Sequence, residues 1–318
     1  MKSPQTMVNL VEEYLSYRHK LGFQLKIEGE ELLCFARFAD QANPHGPLTA
    51  ELATRWAGLP QEADSLYRAR RLDLVRRFAK YRALFDPTTE IPPKNVFGPS
   101  YRRTPPHIYS DKEIADLLSV ASKLGPPNGL RPHTYRTLFG LLACTGLRIS
   151  EALGLRREDV DWDAAILHIR LTKFKKTRLV PLHDSAVKAL RDYSERRDCY
   201  HLYPQSNAFF LTETGTPLKY WRTLMTFLSL RNQLGWTRSG RQRSPRIHDM
   251  RHTFAVRRLL LWYQEGADVD QKIAYLSTYL GHAKVTDTYW YFSAVPELLS
   301  AVACRFEHFA KETKEAEP

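Results

Sequence analysis

A proline-rich stretch, residues 86–110 (DPTTEIPPKNVFGPSYRRTPPHIYS), divides this chain into two parts. Proline fixes its own φ and lacks the amide hydrogen that helix interiors and central strands require, so such a run cannot continue either element. The stretch also has no helical or strand period. We therefore predict a linker over residues 93–109, between one domain at residues 1–92 and another at residues 110–318. A chain of 318 residues is long enough for two domains.

The part before the linker has a helical pattern. Apolar residues recur every three or four positions from Val8 to Leu21, which is typical of an amphipathic helix. Three more helical stretches follow at about Ile27–Ala42, Thr49–Ala57 and Ser65–Phe85, separated by loops that contain Pro and Gly. The sequence therefore predicts an all-helical bundle for this domain.

The last of these helices is strongly basic. Most charge runs of this kind form a solvated face, but this one has almost no acidic residues after Asp73, which favours contact with phosphates. Its basic side chains are Arg68, Arg70, Arg71, Arg76, Arg77, Lys80 and Arg82.

The part after the linker begins as a helical domain and contains one strand pattern. Ser110 and Glu113 have the spacing of a capping box, which predicts a helix start at this point. Farther on, AILHIRLTKFKKTRLVPLH alternates polar and apolar residues and is broken near Thr172–Lys176, which predicts a small β-hairpin or sheet. The expected fold class is mainly α with a small β-sheet in this second domain.

The charge balance indicates a polyanionic partner. Lys and Arg number 47 against 35 Asp and Glu, a formal net charge of +12. Nucleic acid is the leading candidate. Binding to an anionic membrane would require an apolar span or a basic amphipathic helix with lipid anchors, and the sequence shows neither. Glu12 and Glu13 precede any sustained apolar run, so we expect no secretory signal and a cytoplasmic location.

The cysteines do not form a recognisable framework. Cys34, Cys144, Cys199 and Cys304 lie far apart, without a CxxC pair or a histidine at ligand spacing. We predict neither disulfides nor a zinc site.

Several charged motifs in the second domain suit chemistry at a phosphate. In TGLRISEALGL, Arg148 begins a helix after a Thr-Gly turn, and Glu151 one turn later can hold its guanidinium in place. In HDMRH, His248 and Arg251 lie three positions apart, on one helical face. Each motif alone is weak, because an arginine after a glycine turn is often a surface ion pair.

The ordered set is specific. TGLRISEALGL, KFKKTRLVPL, HDMRH and LGHAKVTDTYWY resemble, in this order, the signature of the tyrosine recombinases, also called phage integrases, over roughly residues 110–300. This resemblance implies that Arg148 and Arg251 clamp the scissile phosphate and that His248 and His282 assist them. It also implies that Tyr291 becomes joined to the DNA 3′ phosphate.

Two role assignments leave rivals. The resemblance places a general acid at Lys173 in the hairpin, with Lys175 and Lys176 as close alternatives. In the other interpretation, all three lysines only hold the DNA backbone. For the nucleophile, Tyr279 and Tyr289 lie near Tyr291, but the spacing from His282 favours Tyr291.

Further basic residues are DNA-contact candidates. Arg102 and Arg103 lie in the linker, and Arg241 and Arg243 lie in the long basic loop QLGWTRSGRQRSPRIHDM before His248. These four residues, with Lys175 and Lys176, are expected to track phosphates.

The C-terminal sequence carries an apolar strip at helical spacing: Leu298, Leu299, Val302, Phe306 and Phe309. The strip can fold back on its own domain. The resemblance implies instead that this helix docks on a neighbouring protomer, within a tetramer that brings two DNA sites together.

The resemblance also implies the architecture. It predicts a two-domain clamp, with residues 1–92 as a helical, SAM-like core-binding domain and residues 110–318 as the catalytic domain with a C-terminal oligomerisation helix. No cofactor is expected. The predicted function is site-specific DNA recombination through a 3′-phosphotyrosine intermediate.

Two alternatives have other functions: a type IB topoisomerase, and a DNA-binding accessory protein without catalysis. The sequence does not choose among integration, excision, cointegrate resolution, transposition and dimer resolution. The simple architecture favours a recombinase of a mobile element.

Overall fold

The computed structural model describes residues 5–102, 104–170, 177–202, 205–237, 243–282, 284–294 and 303. The chain divides into two compact units, Met1–Arg103 and Thr104–Pro318. The described part is mainly α-helical with one small sheet, so the predicted fold class is confirmed.

Within residues 5–102, the first unit is a bundle of four helices: α1 (Met7–Lys20), α2 (Lys26–Ala42), α3 (Ala50–Gly58) and α4 (Ser65–Arg82). The side chains of Thr6, Thr49 and Asp64 accept hydrogen bonds from first-turn amides of α1, α3 and α4, which explains where these helices begin. The core contains Phe35 and Trp56, whose rings meet edge to face at 5.3 Å. The four predicted helices are confirmed within a few residues.

The second unit holds the remaining elements. The helices are α5 (Asp111–Ala121), α6 (Arg131–Thr145), α7 (Ile149–Leu153), α8 (Asp184–Tyr200), α9 (Tyr220–Gln233), α10 (Asp249–Gln264), α11 (Val269–Leu280) and α12 (Thr286–Ala294), and the strands are β1 (Val160–Asp161), β2 (Ile166–Ile169) and β3 (Arg178–Pro181). The amide of Glu113 donates to the Ser110 hydroxyl at 3.1 Å and the Ser110 amide donates to the Glu113 carboxylate at 2.7 Å, so the predicted capping box is confirmed.

The sheet is antiparallel, in the order β1-β2-β3. Leu167 of β2 faces Val180 of β3, and both side chains are buried. The predicted hairpin is therefore confirmed in its two strands, whereas residues 171–176, where the sequence pattern breaks, lie outside the described residues. Arg178 begins β3 on the same face as Val180, a position that carries it toward the interior.

Residues 93–109, the predicted linker, divide between the two units. Phe97 packs against the core of the first unit. Tyr109 is buried in the second unit, where its amide donates to the Thr253 hydroxyl at 2.9 Å and its own hydroxyl donates to the Arg246 carbonyl at 3.0 Å.

Helices able to cross a membrane are not found in the part of the chain that the structure describes. The same part contains no group of three or more His, Cys, Asp or Glu side chains that could hold a metal ion.

Candidate active site

The turn between α6 and α7 begins the candidate site. Gly146 ends α6 with a φ of +63°, and a Cβ at this position would lie 2.6 Å from the ring of Phe254 in α10. Glycine thus permits both the left-handed turn and the close approach of α10. As a result, Arg148 lies at the start of α7 and the Gly146 carbonyl faces Arg251 of α10 at 2.8 Å.

A buried carboxylate organises the arginines at this turn. The Glu151 side chain is only 4% exposed, and it accepts hydrogen bonds from Arg148 Nη1 at 2.8 Å and from Arg178 Nη2 at 2.7 Å. Burial alone would raise the pKa of this carboxyl, but the hydrogen bonds and charge of Arg178, with those of Arg148, outweigh burial and lower the pKa to about 2. Glu151 is therefore ionised at neutral pH.

The C-terminal end of α11 holds three arginines at once. The last carbonyls of a helix have no partner within the helix and carry partial negative charge, so they suit guanidinium donors. Three consecutive carbonyls each accept from a different arginine: Tyr279 from Arg178 Nε at 2.7 Å, Leu280 from Arg251 Nη2, and Gly281 from Arg148 Nη2 at 3.0 Å. Elements distant in sequence, α7, β3 and α10, are joined at this helix end.

Arg251 is the most buried cation of the site, with 2% of its surface exposed. Burial, and then the charge of Arg148, lower its pKa to about 10. The group remains charged at neutral pH, so two cations stand together with too few anions to balance them. Such a site favours an anionic ligand.

Three histidines lie beside the arginines in the neutral state. Burial, followed by the charge of Arg251, lowers the pKa of His248 and of His282 to about 4. His252 has a pKa of about 3, lowered by burial and by its histidine and arginine neighbours. His248 as a whole residue is exposed, whereas Arg251 beside it is buried. His282 is oriented by Thr288, whose hydroxyl lies 2.7 Å from Nδ1.

Tyr291 lies within this cluster and is 2% exposed. Its ring stacks with His282 at a centroid distance of 6.5 Å and meets His252 at 5.5 Å. Burial raises the pKa of the phenol, while the charges of Arg251 and Arg148 oppose that effect. Burial outweighs these charges, so Tyr291 is a neutral phenol at pH 7, and the two arginines reduce the cost of forming a phenolate.

The lowered histidine pKa values predict acid sensitivity. Because the folded state keeps His248, His252 and His282 neutral, the unfolded state binds more protons once pH falls below its value of about 6.5. This stability is fully present above that pH and is lost as pH falls toward the folded values of about 4 and 3. We expect the melting temperature to drop by several degrees between about pH 6.5 and 4.5. A His252→Phe variant should show a shallower slope, and equal slopes would contradict the prediction.

Gly281 is predicted to be essential for arginine placement. It has a φ of +66°, and a Cβ there would lie 3.0 Å from Arg178 Nη1 and 3.5 Å from Arg148 Nη1. Gly281→Ala should slow the reaction at this site about 10-fold or more, because the Arg178 guanidinium must shift by a few tenths of an ångström beside Arg148, in addition to a backbone strain of about 1–2 kcal/mol. Gly266 has the same φ of +66° with nothing within 4 Å, so Gly266→Ala is the matched control. If both variants lose the same activity, the loss comes from backbone strain and not from displaced arginines.

Comparison with known proteins decides the family. The sequence model of the phage integrase family matches residues 109–297, more than half of the chain. The chain belongs to the phage integrase family. It is 42% identical to "Putative integrase/recombinase y4rB" of Sinorhizobium fredii over 306 residues, 95% of this chain and 97% of that protein.

Other relatives extend the same relationship. The chain is 29% identical over 219 residues to the tyrosine recombinase XerC of Chlamydia trachomatis, 69% of this chain and 64% of that protein. The structure of the Tn1549 transposon integrase in complex with transposon right-end DNA is similar in fold, with a TM-score of 0.69, 17% identity, and coverage of 96% of this chain and 100% of that one. The chain is a tyrosine recombinase, an enzyme of site-specific DNA recombination.

In this recombinase, the structure brings together most of the residues predicted from sequence for the site: Arg148, Glu151, His248, Arg251, His282 and Tyr291. The predicted Lys173, Lys175, Lys176, Arg103 and Arg241 lie outside the described residues, as does the C-terminal strip from Leu298 to Phe309. Arg102 and Arg243 are both exposed.

Several arginines of α4 make contacts within the first unit. The Arg71 guanidinium lies 3.7 Å from the centroid of the Trp56 ring, and Arg76 Nε donates to the Pro92 carbonyl at 2.9 Å. Arg77 pairs with Asp73 at 2.8 Å. Some of the basic side chains of α4 therefore make contacts within the protein. The sequence had favoured phosphate contact for this helix.

Two residues of the site were missed by the sequence reasoning. Arg178 lies in the motif KFKKTRLVPL. The sequence feature that could have indicated its inward position is the two-residue spacing from Val180, which places both side chains on the same face of the strand. His252 stands in HDMRH, and its ring contacts His248 at 4.9 Å, Trp290 at 5.5 Å and Tyr291 at 5.5 Å. Its Nδ1 is buried and has no hydrogen-bond partner among the described residues.

Proposed function

We propose that this recombinase breaks and rejoins DNA at paired recombination sites through a covalent bond between Tyr291 and a 3′ phosphate. The observation that most supports this proposal is the placement of Arg148 and Arg251 on neighbouring carbonyls of one helix end, with Tyr291 in contact with the histidines beside them. A nucleophile, two cations and neutral proton acceptors then surround one position.

The residue roles follow from the chemistry. The Tyr291 oxygen attacks the scissile phosphorus, its proton passes to a neutral histidine of the cluster, and the bond between phosphorus and the 5′ oxygen breaks. Arg148 and Arg251 stabilise the charge that grows on the nonbridging oxygens. His248 and His282, held neutral at pH 7, can each donate a ring N–H to a nonbridging phosphate oxygen or accept the proton that leaves Tyr291.

The energy of the broken bond is conserved in the phosphotyrosine. A 5′ hydroxyl from another strand can therefore attack the same phosphorus and release Tyr291, and neither a nucleotide nor another energy source is needed. We propose double-stranded DNA as the partner, in keeping with the net charge of +12 and with the DNA complex of the Tn1549 integrase.

For the assembly, we propose a tetramer on two DNA sites. In this arrangement the helical residues 1–92 grip one side of the DNA, residues 110–318 act on the other as the catalytic domain, and the apolar strip from Leu298 to Phe309 docks on a neighbouring protomer. Arg102, Arg103, Arg241 and Arg243, with Lys175 and Lys176, are proposed to contact the backbone. We propose the cytoplasm as the location.

A two-site plasmid assay tests the function. Segments from the genomic neighbourhood of the gene are cloned as direct repeats, and the protein is added with EDTA and without nucleotide. Excision of the intervening DNA as a circle is the expected result. Relaxation of supercoiled plasmid without excision would favour a topoisomerase, and binding without either product would favour an accessory factor.

Lys173 is proposed as the general acid for the departing 5′ oxygen. Lys173→Ala should slow cleavage of ordinary DNA about 10²- to 10⁴-fold, because proton donation by a positioned group has this effect. A substrate with sulfur at the bridging 5′ position needs no proton and should restore the rate. Lys175→Ala and Lys176→Ala, tested on both substrates, are the controls. If the sulfur substrate does not restore the rate of Lys173→Ala, Lys173 is not the general acid.

A further inference from the structure

Arg178 is one of the three arginines that donate to the last carbonyls of α11, and the proposed chemistry does not use it. It lies on β3, with 10% of its side chain exposed, and makes three hydrogen bonds. Nε donates to the Tyr279 carbonyl, and Nη1 and Nη2 donate to the two oxygens of Glu151 at 3.1 Å and 2.7 Å. This is the forked pairing by which arginine binds a carboxylate.

The Glu151 carboxylate is saturated by these contacts. Oε1 accepts from Arg148 Nη1 at 2.8 Å and from Arg178 Nη1, while Oε2 accepts from the Arg148 backbone amide at 3.0 Å and from Arg178 Nη2. An ionised carboxylate has about four acceptor positions, and here four donors occupy them.

This division of acceptors determines how many N–H donors of Arg148 are left for another partner. Its guanidinium gives one hydrogen bond to Glu151 and one to the Gly281 carbonyl. A guanidinium has about five N–H donors, so most of its donors stay available. The Arg148 side chain is also 22% exposed, against 10% for Arg178. Arg148 can therefore reach a phosphate that Arg178 cannot.

Removing Arg178 would change this balance. Glu151 would keep its charge in a buried position and lose two of its four donors. Since Arg148 is the other arginine that contacts Glu151, its second N–H would be drawn into the carboxylate. Fewer N–H donors of Arg148 would then be available to a phosphate, and its guanidinium would be turned toward Glu151.

We propose that Arg178 is a positioning residue: it shares the charge of Glu151, so that this carboxylate orients Arg148 without occupying the N–H groups that bind the scissile phosphate. The inference rests on the proposed function, in which Arg148 clamps that phosphate. It assigns to β3, the second strand of the hairpin, a role in arranging the phosphate site, beyond support of the sheet.

The test is a double-mutant cycle with Arg178→Met, Glu151→Gln and the double variant. The readout is the rate of Tyr291 adduct formation on a nicked duplex. Arg178→Met should slow this rate about 100-fold and Glu151→Gln about 10-fold. The double variant should be faster than Arg178→Met, because the neutral amide no longer competes for Arg148. A double variant as slow as Arg178→Met, or slower, would overturn the proposal in favour of simple structural support.

A matched control comes from the same sheet. Arg170 follows β2 and pairs with the buried Asp159 at 2.6 Å, a different carboxylate from the one that Arg178 binds. Arg170→Met removes an arginine from a buried carboxylate as Arg178→Met does, and it should leave the adduct rate within about twofold of the wild type. Thermal unfolding of each variant shows whether any rate loss reflects unfolded protein. A rate loss in Arg170→Met equal to that in Arg178→Met would count against a specific role.

A binding measurement separates this inference from the proposed function. In a Tyr291→Phe background, the affinity for uncleaved duplex should show the same order, with the double variant binding more tightly than Arg178→Met. If the wild type forms no Tyr291 adduct, the proposed nucleophile is wrong, and the order of affinities alone decides on Arg178. Restored binding in the double variant supports the inference, and its absence overturns it.

Discussion

Tyr291→Phe is expected to abolish covalent attachment to DNA while DNA binding persists. The substitution removes one oxygen atom and keeps the aromatic ring, which is 2% exposed and packs against His252 and His282. The fold and the phosphate-binding arginines should therefore remain. Loss of the nucleophile should reduce cleavage by at least about 10⁴-fold. The measurement is adduct formation on a nicked duplex, together with an affinity measured on uncleaved DNA.

Tyr289→Phe is the matched control. Tyr289 lies two positions earlier and is 47% exposed, so the same atom is removed from the same helix at its surface. This variant should form adducts at the wild-type rate. Recombination by Tyr291→Phe, or loss of adducts in Tyr289→Phe alone, would show that the nucleophile has been misassigned.

The two clamp arginines are expected to differ when replaced by alanine. Arg148→Ala should slow cleavage roughly 10³-fold with only a modest loss of affinity and little loss of stability. Glu151 keeps both hydrogen bonds from Arg178 in this variant, so no buried charge is left unpaired.

Arg251→Ala should slow cleavage about as much as Arg148→Ala does. It should also lower the free energy of unfolding. Arg251 is buried and donates to the carbonyls of Gly146 and Leu280 at two helix ends. An unsatisfied buried carbonyl costs about 1–3 kcal/mol, and two are created. Urea unfolding of both variants beside the adduct rate provides the test. Equal unfolding free energies for Arg148→Ala and Arg251→Ala would contradict the structural role of Arg251.

The fold was largely predictable because its signals are local. The helical period of α1 to α4, the capping box at Ser110 and the alternation in β2 and β3 each depend on neighbouring residues in the sequence. The boundaries moved by a few residues where a cap or a turn decides them. Residues 93–109 have no period, so their sequence could not indicate that Phe97 packs with one unit and Tyr109 with the other.

The site was predictable in its composition and less so in its assembly. The motif order gave Arg148, Arg251 and Tyr291, but the surface that gathers the arginines is a row of backbone carbonyls at the end of α11. Carbonyls have no sequence signature. Arg178 was missed for the same reason, since an arginine on a strand is usually solvated and only the buried Glu151 and Tyr279 carbonyl explain its inward position.

Identification of the residue joined to DNA is the decisive test of Tyr291 as the nucleophile. The wild-type protein is incubated with nicked duplexes from its genomic neighbourhood, quenched with detergent and digested, and the DNA-linked peptide is sequenced by mass spectrometry. We expect a single adduct, on Tyr291, through a 3′ phosphate. An adduct on another residue, or a 5′ linkage, would contradict it.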